Sequence, residues 1–283
     1  MNTRPSLDGV LRGLKDLATF PDLYHRLEQV MSNPTSSLDD MAAVVEQDVA
    51  VASKLLRLAN SSFYSFPSRI QSVGRAITII GTKQLRDLVL ATLVIKRFDG
   101  IPTDMVDMEG FWRHSIGCAI IARVIAIFRR EANVERFYVS GLLHDLGRLV
   151  MLLQVQEPMR EVFKQRQQEQ SLLFQTEAAM LGFDHAVLGA ELLRSWQLPK
   201  VFEEAVKYHH APLMAGGYPV EAAVVHAADS IAHAMQLGTS GEKYVPPIDP
   251  KAWERIGLSE SMLAQVVAFT DQQYHQAVEI FLR

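Results

Sequence analysis

Apolar residues recur three and four positions apart along almost the whole chain, and this repeat restricts the fold more than any other feature of the sequence. No run of four to eight residues shows apolar and polar side chains alternating between turn signals, so no β-strand is predicted. We therefore predict an all-α protein. The predicted helices lie near 11–18, 21–31, 38–45, 49–59, 73–80, 85–95, 109–129, 135–153, 158–169, 174–180, 185–196, 201–208, 220–235 and 259–281.

Polar and helix-breaking residues divide this pattern into segments. Ser37 and Asp40 have the spacing of a capping box, and Asp48 stands where the next helix begins. Glycine, proline and charged residues combine in 99–104, which predicts a boundary between an N-terminal lobe, residues 1–104, and a C-terminal lobe, residues 105–283. The breaker-rich segment 238–250 is predicted to be a surface loop.

Cysteine content and apolar run length indicate a cytoplasmic protein. Cys118 is the only cysteine, so no intrachain disulfide can form, and the first residues lack the apolar core of a secretory signal. The longest nearly apolar stretch, 116–128, is interrupted by Arg123 and is shorter than the roughly 20 residues that a membrane span needs. We predict that this stretch is a buried helix and that the protein has no membrane contact.

The charge balance disfavours a nucleic-acid partner. Lysine and arginine total 28 against 32 aspartates and glutamates, a net charge of -4, so the basic excess of a dedicated nucleic-acid binder is missing. Residues 37–60 have the outline of a helix-turn-helix, but acidic side chains outnumber basic ones within it. We therefore expect no nucleic-acid binding.

An adjacent histidine and aspartate, His144 and Asp145, stand out within the strongly apolar segment 137–153. The periodicity predicts that they lie in the middle of a helix. A buried carboxylate without a partner costs several kcal/mol, so something must neutralise it. Two arrangements would do so: a hydrogen bond between His144 and Asp145 inside the core, or a metal cation, for which imidazole and carboxylate are both ligands.

Further residues of the ligand type favour the metal. His114 lies on the preceding long helix, His185 begins a helix, and Asp229 is embedded among small and apolar residues. His209 and His210 follow an amphipathic helix. Each alone is a weak signal, because a single histidine on an apolar face is more often a core residue and a histidine doublet often only ends a helix. All of them nevertheless fall C-terminal to the predicted boundary, and together they indicate a metal site.

The order His, His-Asp, His, His-His, Asp resembles the HD superfamily of metal-dependent phosphohydrolases, and the full set resembles its binuclear members. The resemblance implies that Asp145 bridges two divalent ions, which can share a hydroxide and polarise a phosphoryl oxygen. Because imidazoles dominate the set, we expect one or two ions of iron, manganese, zinc, nickel or cobalt. The implied ligands are His114, His144, Asp145 and Asp229 for the first ion and His185, His209 and His210, with Asp145, for the second.

The residues expected to take part in any catalysis are Asp145, as the bridging ligand, and Arg148. Arg148 follows His144 by four residues and so shares its helix face, where the superfamily often has a lysine that meets substrate phosphate. Arg148 could bind phosphate through two N–H groups or form a structural ion pair, and both readings stay open. Cys118, one turn after His114, could approach the site, but a buried packing thiol is the favoured reading.

The N-terminal region is similar to the HDOD domain over residues 17–95, in the segments 55–61, 70–81 and 85–88 and in the aromatic loop between them. With the C-terminal part, the resemblance covers roughly residues 7–238. It implies an N-terminal HDOD-type helical lobe packed on a C-terminal HD-type helical lobe. In the aromatic loop, we expect Phe63, Tyr64 and Phe66 to pack against the core.

HDOD proteins are regulatory or scaffolding modules of bacterial signalling, often with eroded metal positions, whereas these positions are intact here. HD-GYP phosphodiesterases carry His-His-Glu-x-x-Asp-Gly-x-Gly-Tyr-Pro; Ala211, Met214 and Ala215 replace the Glu, Asp and Gly, so hydrolysis of cyclic di-GMP is not expected. The resemblance implies a signal-transduction module with other signalling proteins as partners. The alternative is a metal-dependent phosphohydrolase, a phosphodiesterase acting on a nucleotide or cyclic dinucleotide ligand.

Overall fold

The computed structural model describes residues 5–13, 21–61, 64, 66, 68–98 and 105–282. Every regular element in this part of the chain is helical, which confirms the predicted all-α class. The α-helices are α1 (Leu7–Gly13), α2 (Asp22–Ser32), α3 (Leu38–Glu46), α4 (Val49–Ala59), α5 (Val73–Ile80), α6 (Thr82–Arg97), α7 (Met108–Phe128), α8 (Glu135–Leu143), α9 (Leu146–Gln154), α10 (Gln156–Glu169), α11 (Leu173–Leu181), α12 (His185–Ser195), α13 (Lys200–Lys207), α14 (Pro219–Ala234), α15 (Pro250–Ile256) and α16 (Leu263–Leu282).

Two helix starts form as the sequence predicts. The Ser37 hydroxyl accepts a hydrogen bond from the Asp40 backbone N–H at 3.2 Å, and the Asp40 carboxylate accepts one from the Ser37 N–H at 2.8 Å. The Asp48 carboxylate accepts hydrogen bonds from the N–H groups of Ala50 and Val51 at the start of α4. These side chains satisfy backbone donors that have no partner inside the helix, so each start is defined locally.

Helices α2 to α6 pack around the N-terminal part of the core, whereas α1 packs against α9 and α12. Two sequence predictions fall partly or wholly outside the described residues. Of the first stripe, 11–18, residues 14–18 are not described, and the boundary segment 99–104 is not described either. The division at residue 104 therefore remains a prediction.

The two predicted lobes share one continuous hydrophobic core. Helix α6 packs on α8, and α16 packs on both α7 and α4, where the Lys54 ammonium donates to the Phe281 carbonyl at 2.9 Å. In the aromatic loop, Tyr64 and Phe66 stack with their ring centres 5.5 Å apart and pack against the core as predicted. Phe63 lies outside the described residues.

Helix α7 runs through the centre of the C-terminal part. It is the one described helix long and apolar enough to cross a membrane by length and composition, and 83% of its most apolar window is buried inside the protein. The core helix of a soluble protein passes the same test. Because the residues from His114 to Ala126 are all buried, the predicted buried helix is confirmed.

The single helix predicted over 135–153 is wrong. Helix α8 ends at Leu143 and α9 begins at Leu146, so His144 and Asp145 form a turn between them. The two halves pack on different partners, α8 on α7 and α9 on α12. A straight helix cannot reach both partners, and the chain therefore bends at the residues that carry the His-Asp pair.

The segment predicted as a surface loop, 238–250, is only in part a surface loop. Ser240 and Glu242 are buried, and the Thr239 N–H donates to the Gly110 carbonyl on α7. Asp249 then caps α15, a helix that the sequence pattern did not predict. The breakers do prevent regular structure between Gly238 and Asp249, but the segment folds back over the C-terminal core.

Candidate metal centre

Five parts of the fold bring all the predicted ligand residues to one place in the C-terminal core. Helix α7 carries the first histidine, the α8–α9 turn carries the His-Asp pair, α12 begins with the next histidine, the histidine doublet follows α13, and α14 carries the last aspartate. These residues are buried, except that His210 is partly exposed. They are His114, His144, Asp145, His185, His209, His210 and Asp229.

A first group of donor atoms surrounds the carboxylate of Asp229. His114 Nε2 lies 3.1 Å and His144 Nε2 lies 3.6 Å from Asp229 Oδ1. Asp145 Oδ2 completes the group, 3.3 Å from His144 Nε2 and 3.9 Å from His114 Nε2. This is the combination of residues that the resemblance assigns to a first ion.

A second group surrounds the imidazole of His185. Its Nε2 atom lies 2.9 Å from Asp145 Oδ1, 3.0 Å from His210 Nε2 and 3.4 Å from His209 Nε2. Asp145 therefore stands between the two groups, with one carboxylate oxygen facing each. Its position is the one that a bridging ligand requires.

Hydrogen bonds on the outer side orient three of the imidazoles. The Nδ1 atoms of His144 and His209 lie 2.7 Å and 2.6 Å from the carbonyl oxygens of Gly141 and Val206. A carbonyl can only accept, so each Nδ1 carries a proton and each Nε2 is directed to the interior, where its lone pair is available to an ion once that nitrogen is unprotonated. His185 Nδ1 lies 2.5 Å from Glu177 Oε2 in the same manner. Metal-binding histidines are commonly held in this way by the nitrogen that does not bind the ion.

The two groups fit a divalent cation by two further criteria. Ligand atoms that bind one ion with bonds of about 2.1 Å are expected to lie about 3 Å from one another. The distances given above fall near that value. Among the described residues, His144 Nε2 is buried without a well-aligned hydrogen bond. This nitrogen faces the carboxylate oxygens of Asp145 and Asp229, which can only accept, so a proton or a metal cation has to lie between them. The chain therefore contains His/Asp groups that could hold a metal ion.

The electrostatics keep two imidazoles neutral and the aspartates ionised. Burial, with help from His144 and His185, lowers the pKa of His209 to about 3, and burial and nearby His233 lower the pKa of His114 to about 4. Burial alone would raise the pKa of Asp145 and Asp229. Their neighbours outweigh it: Arg148 and His144 for Asp145, and hydrogen bonds from His114 and His144 for Asp229, hold both pKa values well below the usual range.

His144 and His185 differ from the other proposed ligand histidines because each lies against carboxylates. Burial opposes the protonation of His144, but Asp145 and the Cys118 thiol hold its pKa well above the usual value. His185 lies between two carboxylates. Burial and the Arg148 guanidinium oppose its protonation, but Glu177 and Asp145 raise its pKa to about 9. In the absence of a metal, this imidazole is therefore protonated at neutral pH. Neutral imidazole and ionised carboxylate are the forms that bind metals, so an ion has to displace a proton here.

Arg148 forms structural ion pairs, one of the two roles that the sequence left open for it. Its Nη1 atom lies 2.9 Å from Asp145 Oδ2 and its Nε atom 3.3 Å from Glu177 Oε1. Nη1 also donates to the Ser240 hydroxyl at 2.5 Å, and Nη2 lies 2.9 Å from His185 Nδ1. The guanidinium is buried, and its Nε and Nη1 groups already donate to acceptors within the chain.

Sequence reasoning missed two neighbours of the centre, Glu177 and His233. Glu177 is fully buried on α11 and bonds both His185 and Arg148, although it stands among ordinary helix residues in the sequence. His233 Nε2 lies 3.3 Å from Asp229 Oδ1, and its ring centre lies 4.3 Å from that of His114. The spacing of four residues from Asp229 to His233 on one helix was the available signal for this second residue.

Cys118 is a buried thiol on α7, as the favoured reading expected. Burial raises its pKa, even though the adjacent His144 opposes that shift. The thiol is therefore protonated at neutral pH and lies beside the first group of ligand residues.

The centre is nearly closed to solvent. The cavity that reaches Asp145, Arg148 and Asp229 has a volume of about 10 Å³, which is about the space of one water molecule. Phe174 stacks on His210 with ring centres 4.0 Å apart at the mouth, and segment 238–249 closes the other side through Glu242 and Pro246.

Gly147 allows the two halves of the site to meet. A Cβ atom at this position would lie 1.9 Å from the His185 carbonyl oxygen and 2.5 Å from the Gly189 nitrogen. Both are backbone atoms, so no side-chain movement could relieve the contact. Only glycine lets α9 approach α12 closely enough to place Asp145 against His185.

Comparisons with known proteins agree with this architecture. A family model described as HDOD domain matches residues 17–212. The crystal structure of an HDOD domain protein of unknown function from Geobacter sulfurreducens is 26% identical, with a TM-score of 0.80 and 99% of each chain covered. A provisionally named phosphohydrolase from Shewanella amazonensis SB2B is 22% identical, with a TM-score of 0.75 over 96% of this chain and 97% of its own, and this likeness shows the fold alone.

One curated relative also matches by sequence. An uncharacterized protein of Treponema pallidum (strain Nichols) is 24% identical over 201 residues. The match covers 70% of this chain but 38% of that relative, so this chain corresponds to well under half of the relative's length.

Proposed function

Because the chain belongs to the HDOD family, we propose that it is a regulatory module of bacterial signal transduction whose buried metal centre holds the fold together or senses metal. In this proposal, His114, His144, Asp145, His185, His209, His210 and Asp229 are the metal-binding set. The bound cation neutralises the aspartates and cross-links α7, the α8–α9 turn and α14. The partner is another signalling protein.

The observation that carries the proposal is the lack of space at the centre. Sites for small molecules usually measure about 300–1,000 Å³, whereas the cavity here measures about 10 Å³. A metal ion fits such a space, and a nucleotide does not. The cation that could meet a substrate phosphate, Arg148, is already engaged by Asp145 and Glu177.

The helices that carry the centre also offer a route from the metal to the N-terminal part. Helix α7 carries His114 at one end and Arg123 further along, and the Arg123 guanidinium lies 5.0 Å from the centre of the Tyr64 ring. A metal ion bound at the centre would therefore restrain α7, the helix that contacts the N-terminal aromatic loop. A partner that binds the N-terminal lobe would respond to the metal through this helix.

The second candidate is a metal-dependent phosphohydrolase acting on a nucleotide or cyclic dinucleotide. The intact set of seven ligand residues favours it, since a scaffold has no need for a complete set. A divalent ion at such a centre would polarise a phosphoryl oxygen and lower the pKa of bound water. In that case Asp145 and Arg148 would be the catalytic residues, and segment 238–249 would have to open to admit substrate.

A turnover assay on metal-loaded protein separates the two candidates. The protein is loaded with iron or manganese, its metal content is measured, and hydrolysis of phosphodiesters and phosphomonoesters is followed beside an Asp145→Asn variant. We expect bound metal and no turnover above that of the variant. Turnover of any of these substrates that is lost in Asp145→Asn would establish the phosphohydrolase instead.

A further inference from the structure

Arg148 places a permanent positive charge inside the candidate metal centre. Its Nη1 atom contacts the same carboxylate, Asp145, that stands between the two ligand groups, at 2.9 Å. Its Nη2 atom lies 2.9 Å and 3.1 Å from the two ring nitrogens of His185, the central residue of the second group. A guanidinium cannot lose its proton in a protein, so this charge is always present.

The charges buried around the centre balance with one divalent ion and not with two. Asp145, Asp229 and Glu177 contribute three negative charges, and Arg148 contributes one positive charge. Nearby Glu242 has its own partner in Arg166, 3.7 Å away. Because imidazoles bind metals in the neutral form, a single dication makes the centre neutral and a second would leave a double positive charge away from water.

The two groups also differ in what their nitrogens already contact. His185 Nε2 in the second group lies within 3.0 Å of both Asp145 Oδ1 and His210 Nε2. His144 Nε2 in the first group is buried without a well-aligned hydrogen bond in the described part of the chain. The need for a cation is therefore greater in the first group. Arg148 lies against His185 of the second group through Nη2, and its Nη1 bonds Asp145 Oδ2, the oxygen that faces the first group.

We propose that Arg148 takes the place of a second metal ion, so that the centre binds one divalent ion through His114, His144, Asp145 and Asp229. This inference rests on the proposed metal site and adds its stoichiometry and the residue that sets it. Arg148 is then a fixed internal counter-charge, and its conversion to a neutral residue opens the second group to a metal.

The test is metal stoichiometry in the whole protein. Wild-type protein and the variants Arg148→Met, Arg148→Lys and Arg123→Met/Glu135→Met are saturated with Mn²⁺, freed of excess ion and measured for manganese per chain. Electron paramagnetic resonance reports whether two ions are close enough to couple. We expect one uncoupled ion in wild type and in Arg148→Lys, which keeps the charge. We expect the same in Arg123→Met/Glu135→Met, which removes a buried arginine together with its own carboxylate away from the centre. We expect two coupled ions in Arg148→Met.

Each other result overturns the inference in a recognisable way. Two coupled ions in wild type would show that Arg148 does not exclude the second ion. One ion in folded Arg148→Met would show that something else excludes it. If Arg148→Met does not fold by circular dichroism, the wild-type count still decides between one ion and two. Absence of bound metal from wild type would instead refute the proposed metal site itself.

Discussion

Two buried clusters of charge lie on the same pair of helices, and they are neutralised in different ways. Arg123 on α7 and Glu135 on α8 form a buried ion pair with Nε and Oε1 3.0 Å apart. His114 lies nine residues before Arg123 on α7, and His144 lies nine residues after Glu135, just beyond α8. Two antiparallel helices thus carry the ion pair at one end and two proposed metal ligands at the other.

The difference lies in whether the chain supplies its own counter-charge. The ion pair is neutral within the protein, so it needs nothing from outside. The centre holds three buried carboxylates against one arginine, so its charges balance only with protons on His144 and His185 or with a dication that displaces those two protons. A buried cluster of charged side chains can therefore be purely structural or can be a binding site for an ion. The two cases are distinguished by whether the positive and negative side chains of the cluster are equal in number.

The largest effect is expected from breaking the ion pair on one side. Glu135→Ala leaves the Arg123 guanidinium buried without its carboxylate, so it should destabilise the protein by about 3–5 kcal/mol. Urea denaturation followed by circular dichroism measures this change in the free energy of unfolding.

The matched control removes both charges. The double variant Arg123→Met/Glu135→Met should recover most of the lost stability, because a packed apolar pair replaces a neutral ion pair at little cost. Its manganese content should equal that of wild type. A double variant as unstable as Glu135→Ala would show that this pair is not the self-contained cluster described above.

Removal of metal should have the next largest effect. An ion present at 100 to 1,000 times its dissociation constant stabilises the folded state by about 2.7–4.1 kcal/mol. A chelator should therefore lower the melting temperature of metal-loaded wild-type protein in a scanning calorimeter.

The same chelator should leave an Asp229→Asn variant unchanged, because the variant has lost a proposed ligand and holds no ion to remove. The Arg123→Met/Glu135→Met protein should respond as wild type does. Equal chelator effects on Asp229→Asn and wild type would place the stabilising ion elsewhere in the molecule.

Gly147→Ala should give a smaller loss of stability when the metal-free proteins are compared, together with a complete loss of metal retention. The new methyl group collides with the His185 backbone and forces α9 away from α12, which costs about 1–3 kcal/mol. Separation of these helices moves Asp145 from His185. The control is Gly216→Ala, where a Cβ meets nothing within 4 Å and both stability and metal content should be unchanged. Full metal retention in Gly147→Ala would contradict this account.

The smallest effect is the pH dependence of the metal-free protein. His209 and His114, with pKa values of about 3 and about 4, stay neutral in the folded state, so their contribution is lost as pH falls below about 6.5. His185, with a pKa of about 9, and His144, whose pKa Asp145 holds well above the usual value, are protonated when folded. Their contribution is present below about 6.5 and is lost as pH rises through their folded-state pKa values. Stability should peak near neutral pH, with slopes of about 1 kcal/mol per pH unit for each histidine.

Urea denaturation between pH 5 and pH 9 measures this profile. The Arg123→Met/Glu135→Met variant should keep the same peak, because the histidines of the centre are unchanged in it. A profile that rises or falls steadily across this range would show that the histidines of the centre do not control it.

The periodic apolar pattern was sufficient for most helices and for the fold class. The predicted segment 73–80 coincides with α5, and the Ser37 and Asp48 caps form as expected, because each depends on contacts within a few residues. The break at His144 and Asp145 was not predictable in this way. It arises because α8 and α9 pack on different helices, and a local pattern contains no information about a distant partner.

The identities of the proposed ligands were also visible in the sequence, because histidine and aspartate embedded in apolar segments need a reason to be there. Their convergence depends on close approaches such as that of Gly147 to His185, which only the packed structure reveals. The involvement of Glu177 and the closure of the centre by segment 238–249 depend on it as well.

The amino-acid sequence by itself thus determined the helical class and the kinds of residue available for a metal. The tertiary structure alone decided which nitrogens face inward, that Arg148 is tied to Asp145, and that the space left is about that of one water molecule. The reason is physical: helix formation and capping are governed by neighbours along the chain, whereas charge balance and enclosure depend on side chains that meet only when distant helices pack.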